Sequence, residues 1–421
     1  MQPTVQIQSL LEDLRALPRT FWILFAGTFI NRFGTFVWPF LAIYLTRQGH
    51  SLTAASVAMS AFAVGALGGG LLGGWLADHF GRRNTIVLGT FLSALSFMLL
   101  YTASALPVIV ACTFLAGFTS GIYHPAIGAL LADIVPPAQH IRAYAAIRAA
   151  ANAGFACGAA TGGVLANYSL FWLFAGDALT TALYGCIALL WLPHGLRVAR
   201  EKTARWGESL AHIAGDRPFQ ALWISAFLAA LVYAQCASTY SLHIIRQGLH
   251  FDALGFHFGP ETVYGLLVGW NGAFIVLAEL PLTTATMRFD PRRVMAAGYV
   301  LVGVGFAMNG LAHSIFVLWI AMTIFTFGEM ISAPTTSAQV ARFAPERMRG
   351  RYMGALGLSW NIAGIFGPLI GFRLLAHDPL LVWVLCGAIG LAAAFTIWRF
   401  GRPREESLLP GHRPAASPAS I

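Results

Sequence analysis

Five ionisable side chains, Arg32, Arg148, Asp177, Glu279 and Glu329, fall inside long apolar runs of this 421-residue chain. A charge near the middle of a bilayer costs about 2.5 to 3.5 kcal/mol on an insertion scale, so each must face protein or water. A carboxyl held there is neutral when desolvated and ionised when water or a cation is near, which is the behaviour a proton carrier requires. Glu329, roughly 21 Å along its run at 1.5 Å per residue, is the first choice for that role. Glu279, about 12 Å from one end of its run, and Asp177, about 10 Å from the opposite end of its own, are second choices. Arg32 lies roughly 16 Å deep, too far in to snorkel easily, and is read as lining a cavity from which it modulates Glu329; the bland reading is a structural ion pair. Arg148, only about 6 Å inside its run, is read as an inner-gate or interface residue.

Uncharged groups in the same runs could line such a cavity. Asn31 and Trp38 are seven apart and so share a helix face, with Tyr44 further along. His124 is flanked by Tyr123 and Pro125. Tyr233, Gln235 and Tyr240, with Trp270, Asn271, Trp360 and Asn361, could make an aromatic, mildly polar pocket; ordinary packing competes, because phenylalanine alone occurs 31 times. His243, His250 and His257, near Arg246, Asp252 and Glu261, read as a solvated loop, and no ligand spacing for a metal is convincing. The five cysteines all fall in apolar segments without paired ligand spacing. The only lysine, Lys202, sits in no Gly-rich phosphate cradle, which excludes ATP hydrolysis by this chain. The five buried charges lie at different depths, which argues against a membrane-embedded enzyme; a channel is the remaining rival.

The elements that must position these groups are membrane spans. The chain is 57% hydrophobic and 10% charged, with a mean hydropathy of +0.68, more apolar surface than a soluble core could hide. Its formal charge of +9 is carried in short clusters between apolar runs, so a membrane surface explains it better than a nucleic acid does. Twelve helical spans are expected, at 21–45, 52–77, 85–106, 108–131, 144–165 and 170–192, then 219–242, 264–287, 294–311, 315–340, 352–375 and 380–400. The fold class is an all-α integral membrane protein. Residues 1–192 form one six-helix bundle, 193–218 a cytoplasmic linker, 219–401 a second bundle, and 402–421 a disordered cytoplasmic tail. The N-terminal stretch has no separate apolar core with a cleavage site, so no removable signal peptide is read.

Charge bias orients the map. Of the 26 Lys and Arg, only Arg47, Arg246 and Arg373 fall on outward segments and only Arg32 and Arg148 inside spans; the rest lie on the side that holds both termini, the cytoplasmic side. Features of the first half also return in the second: Phe80 to Arg83 as Asp290 to Arg293, and Pro137, Tyr144, Asn152, Gly158 and Gly162 as Pro345, Tyr352, Asn361, Gly367 and Gly371.

One polar stretch between the second and third spans is specific enough to suggest a family. Gly74, Leu76, Ala77, Asp78, Gly81, Arg82 and Arg83 match the loop of major facilitator superfamily transporters, with His79 where an arginine is usual. The small-residue run Asn152, Gly154, Gly158, Gly162 and Gly163 resembles the fifth helix of the bacterial drug:proton antiporter branch, with Ala159 where that branch has proline. The fourth span carries none of that branch's buried arginine, while the run from Phe327 through Glu329 to Pro334 resembles a subgroup of drug-efflux-like facilitators. The resemblance implies twelve helices in two pseudo-symmetric six-helix bundles. It implies a conformational-switch loop at Gly74, Asp78, Gly81, Arg82 and Arg83, and proton-coupled efflux of small amphipathic or hydrophobic compounds such as drugs. The alternative it leaves is proton-coupled transport of a specific metabolite, sugar, peptide or siderophore. The expected partners are a small-molecule substrate, protons and the lipid bilayer of a bacterial inner membrane, with no nucleic acid. A monomer with no cofactor beyond the proton gradient is expected.

Overall fold

The computed structural model describes residues 17–136, 139–194, 212–253, 255–345 and 348–402. The expected linker falls largely, and the expected tail almost wholly, outside these residues. The elements are α1 (Arg19–Phe33), α2 (Val37–Arg47), α3 (Leu52–His79), α4 (Arg82–Thr102), α5 (Leu106–Ile134), α6 (His140–Tyr168) and α7 (Phe171–Trp191). The second half contains α8 (Arg217–Ala237), α9 (Thr239–Gln247), β1 (Phe251–Ala253), β2 (Phe256–Phe258), α10 (Pro260–Thr286) and α11 (Pro291–Ala307). It closes with α12 (Ile315–Phe343), α13 (Arg349–His377) and α14 (Pro379–Phe400).

Eleven of the spans are long and apolar enough, as continuous or nearly continuous helix, to cross a membrane. The twelfth, the first in sequence, is made of two helices: α1 stops at Phe33 and α2 starts at Val37. The seventh is also interrupted, at Ser238 between α8 and α9, and runs on to Gln247 instead of the expected 242. The short antiparallel β1–β2 hairpin that follows it was not foreseen.

In lipid there is little hydrophobic drive between helices, so close approach of small residues supplies the packing. α3 and α5 cross on such a seam: a side chain added at Gly69 would strike the Phe118 carbonyl, and one at Gly117 the Phe62 carbonyl. The run in α6 does the same in two directions. Gly154 and Gly158 meet the backbone of α1 at Phe29 and Phe33, while Gly163 meets α10 at Gly265 and Glu261. The small residues of α6 therefore join its own bundle on one face and the second bundle on the other.

The halves are sealed together at the end opposite the Asp78–Arg82 loop. There Ser60 donates to the Ile365 carbonyl at 2.6 Å and Thr262 to the Gly163 carbonyl at 3.1 Å. Phe40 packs edge-on to Tyr264, with ring centroids 5.3 Å apart. The guanidinium of Arg47, half-exposed, pairs with buried Glu261 across the same seam.

Candidate functional site

Between the halves lies a cavity of about 610 Å³, entered from the end that carries the Asp78–Arg82 loop. Tyr144 and Met353, near the starts of α6 and α13, stand exposed at its mouth, and Ser337 and Pro334 of α12 form one wall. Thr28, Asn31 and Arg32 of α1 lie at its deep end, beside His124 of α5. A smaller cavity of about 160 Å³ continues past Arg32 to Trp38, Tyr123 and Asp177.

The break in the first span organises the deep end. Stopping α1 and restarting α2 leaves an unpaired helix N-terminus, which in a membrane must find an acceptor. Asp177 of α7, buried, supplies it: its Oδ2 accepts the Val37 amide at 3.0 Å. The rest of the carboxylate joins a chain of hydrogen bonds. The Thr181 hydroxyl donates to Asp177 Oδ1 at 3.3 Å, Asn31 Nδ2 donates to Thr181 Oγ1 at 3.2 Å, and the Tyr123 hydroxyl donates to Asn31 Oδ1 at 3.3 Å. Thr181 was not singled out from the sequence; its spacing of four from Asp177, which puts both on one helix face, was the available signal.

Arg32 projects from the same break but makes no ion pair among the described residues. The expected facing of Arg32 and Glu329 across one cavity is not what the structure has. Glu329 lies about 7 Å before the cavity-lining Pro334 on α12, towards the start of the helix, and its Oε2 accepts a hydrogen bond from Asn271 at 2.9 Å. The same Asn271 amide reaches Thr326 at 3.0 Å, and the Trp270 indole donates to Thr323 at 3.0 Å, which makes a polar seam between α10 and α12. Glu279 pairs with Arg148 at 2.7 Å, from α10 to α6, so these two candidates form a bridge between the halves.

Several residues expected to line the cavity do not. Tyr44 is buried in the sealed end, donating to the Tyr101 carbonyl at 3.0 Å, because the break carries α2 away from the cavity. Gln235 is spent inside the second half on the Leu231 carbonyl at 3.0 Å and the Gly367 carbonyl at 3.2 Å, and it accepts from Thr239 at 2.6 Å. Tyr240 is wholly buried among Tyr264, Phe306 and Trp383. Tyr233 packs between Phe325 and Trp360, and Asn361 bonds its own helix at Gly357; none of these lines the large cavity. The expected solvated loop is also revised: His243 is buried in α9, 3.1 Å from the Asn309 carbonyl, and Glu261 is buried against Arg47. His257 does pair with Asp252 on the exposed hairpin at 2.8 Å, and no cluster of metal-ligating side chains is present among the described residues.

Two six-span halves, sealed at one end and enclosing a cavity at the other, match in build what the sequence also matches. The Major Facilitator Superfamily family model covers residues 24–259 and 251–421. The chain belongs to that superfamily. Its relatives include a Na(+), Li(+), K(+)/H(+) antiporter of Planococcus maritimus, 26% identical over 407 residues that cover 88% of this chain and 93% of the relative. The multidrug resistance protein MdtH of Aeromonas hydrophila is also 26% identical, over 396 residues that cover 91% of this chain and 95% of that protein. Among solved structures, the nucleoside transporter NupG superposes with a TM-score of 0.77 at 14% identity, covering 91% of this chain and all of NupG, a likeness of fold alone.

In this superfamily member the polar loop is tightly built. Arg82, buried, reaches Asp78 at 2.5 Å and Asp133 of α5 at 3.3 Å. Gly81 turns the chain with a φ of 98°, a region closed to most side chains, and Arg83 lies 2.5 Å from His194. Gly74, by contrast, faces open space, and it is Gly73 that packs against the Ile122 backbone.

Proposed function

We propose that this superfamily member is a proton-coupled exporter, an antiporter of small amphipathic or hydrophobic compounds such as drugs. The observation that carries the reading is the cavity of about 610 Å³ between the halves, with Ile127, Ile147, Pro334 and Met353 beside the polar Asn31, Arg32 and Tyr144, open towards the arginine-rich end and sealed at the other. The charge bias makes the open end cytoplasmic, so the form described is inward-facing in the inner membrane of a bacterium, with both termini cytoplasmic. A compound entering from the cytoplasm or inner leaflet meets Tyr144, His124 and Arg32 in turn. The likeness to a multidrug resistance protein and to a cation/proton antiporter supports the same direction and coupling.

Among the three carboxylates at membrane depth, the geometry favours Glu329 as the proton carrier. Asp177 is engaged at the α2 terminus and Glu279 with Arg148, whereas the hydrogen-bond partner of Glu329 among the described residues is the neutral amide of Asn271. The chain needs no cofactor beyond the proton gradient and works as a monomer. One observation favours a second reading: Arg32, a deep cation without an ion-pair partner among the described residues, would suit a substrate with an anionic group, and thus a specific metabolite. The test is flux in proteoliposomes. An imposed pH gradient should drive saturable movement of a lipophilic dye or drug. Movement of an anionic metabolite with no drug flux would establish the second reading, and ionic conductance without saturation would overturn both.

A further inference from the structure

Away from the central cavity, four arginines surround a separate recess at the arginine-rich end. Arg292 and Arg293 stand in the first turn of α11, and Arg399 and Arg402 at and just beyond the end of α14. Together with Trp398 they line a cavity of about 470 Å³. The two helices pack backbone to backbone where Gly303 meets Gly390, and the recess lies towards the start of α11 and the end of α14.

The recess carries excess positive charge. Only Arg292 has a carboxylate partner among the described residues, Asp290 at 3.0 Å, while Arg293, Arg399 and Arg402 make no ion pair there. Converging guanidinium groups favour a phosphate or other oxyanion, which their forked donors can bind in pairs. Trp398 indicates where that oxyanion comes from. It is 56% exposed and follows Val384, Leu391 and Phe395 on one exposed apolar face of α14, the side that meets acyl chains in a bilayer. A ligand with its phosphate in the recess would lay its tails along this face, at the level where interfacial tryptophan is favoured.

We propose that the recess between α11 and α14 is a binding site for the phosphate head group of an anionic phospholipid of the cytoplasmic leaflet. The site is independent of the transport cavity, and none of its residues lines that cavity.

Full-length protein in a neutral detergent provides the test, with the thermal unfolding midpoint followed during titration with short-chain phosphatidylglycerol, short-chain phosphatidylcholine or inorganic phosphate. Phosphatidylglycerol should raise the midpoint saturably, more weakly at high salt, while phosphatidylcholine should not. Arg293→Gln with Arg399→Gln should weaken the phosphatidylglycerol response by about tenfold or more, given the contribution of each basic residue at an anionic surface. Arg288→Gln, beside Phe289 and outside the recess, should leave it unchanged. Should the double variant fold poorly, Arg402→Gln alone should still weaken the response. Equal responses to the two lipids, or an unaltered response in the double variant, would overturn the site. An equal response to inorganic phosphate would overturn the lipid assignment in favour of a soluble oxyanion.

Discussion

In the first half of the chain a buried carboxylate, Asp177, closes a broken helix. In the second half the broken helix is closed by neutral groups, Gln235, Ser238 and Thr239, and the buried carboxylate, Glu329, rests against an amide. Both halves thus interrupt their first span and both bury an acid within a span, but Asp177 and Glu329 are spent differently. Both oxygens of Asp177 accept hydrogen bonds, from the Val37 amide and the Thr181 hydroxyl, whereas Glu329 Oε1 has no hydrogen-bond partner among the described residues. The contrast separates an acid engaged in architecture from one with an uncommitted oxygen, a difference that ranking Glu329 before Asp177 by depth did not carry.

The largest effect should come from exchanging those two acids. Glu329→Gln should abolish pH-gradient-driven transport while leaving substrate binding intact, and Asp177→Asn, which keeps an acceptor for Val37, should retain most of the transport. If the Asp177 variant loses coupling and the Glu329 variant keeps it, the comparison is inverted and Asp177 carries the proton. A binding assay beside the flux assay separates coupling from substrate contact.

Stability gives the next largest difference. Asp177→Ala orphans a buried amide and a hydroxyl and should lower unfolding free energy by about 2–3 kcal/mol, against about 1 kcal/mol for Gln235→Ala, whose partners are neutral and have alternatives in their own helices. Chemical unfolding in mixed micelles measures both, and equal losses would mean that the two breaks are held alike.

The loops at the arginine-rich ends of the halves extend the comparison at smaller scale. Arg82 is buried between Asp78 and Asp133, while Arg292 has, among the described residues, only Asp290, two residues before it. Asp78→Asn should cost less than about 1 kcal/mol in stability, because Asp78 is largely exposed, yet it should alter the inward/outward accessibility of engineered cysteines and slow transport. No change in either would remove the loop from the switching mechanism.

The smallest effect concerns pH. Partial burial pushes the Asp290 carboxyl up, but the Arg292 amide and guanidinium, with Arg293, outweigh it and hold the group below the usual aspartate range. A lowered folded value contributes stability above the ordinary aspartate pKa, and that contribution is lost as the pH falls through the folded value. The stability difference between the wild type and Asp290→Asn should therefore be small near neutrality, begin to shrink below about pH 4 and vanish once the pH is below the lowered folded value. A difference that grows on acidification would reverse the sign.

Much of this was legible in the residues. Span number and most boundaries follow from the lengths of the apolar runs, because lipid imposes one length scale and forbids unpaired backbone. The loop at 74–83 was legible because seven of its positions match the loop of the superfamily to which the chain belongs. The cavity was legible only in part: Arg32, Asn31 and His124 line it, but Tyr44, Gln235 and Tyr240 do not. Spacing gives the face of a continuous helix, and Tyr44 and Tyr240 lie beyond breaks at Gly34–Phe36 and Ser238, whereas Gln235 and Asn361 are taken up by hydrogen bonds within their own half.

What the sequence determined by itself is the class of the protein, its spans and the list of charges that lipid would not tolerate without a partner, since each follows from composition over a stretch of chain. What only the tertiary structure decided is which partner each charge found. Arg148 and Glu279, 131 positions apart in the numbering, meet across the halves, Arg47 reaches Glu261, Asp177 reaches the amide of Val37, and Glu329 is left with Asn271. Such pairings depend on how the two bundles are set against one another and on where their helices break, and Coulomb attraction acts over distances that chain spacing does not encode.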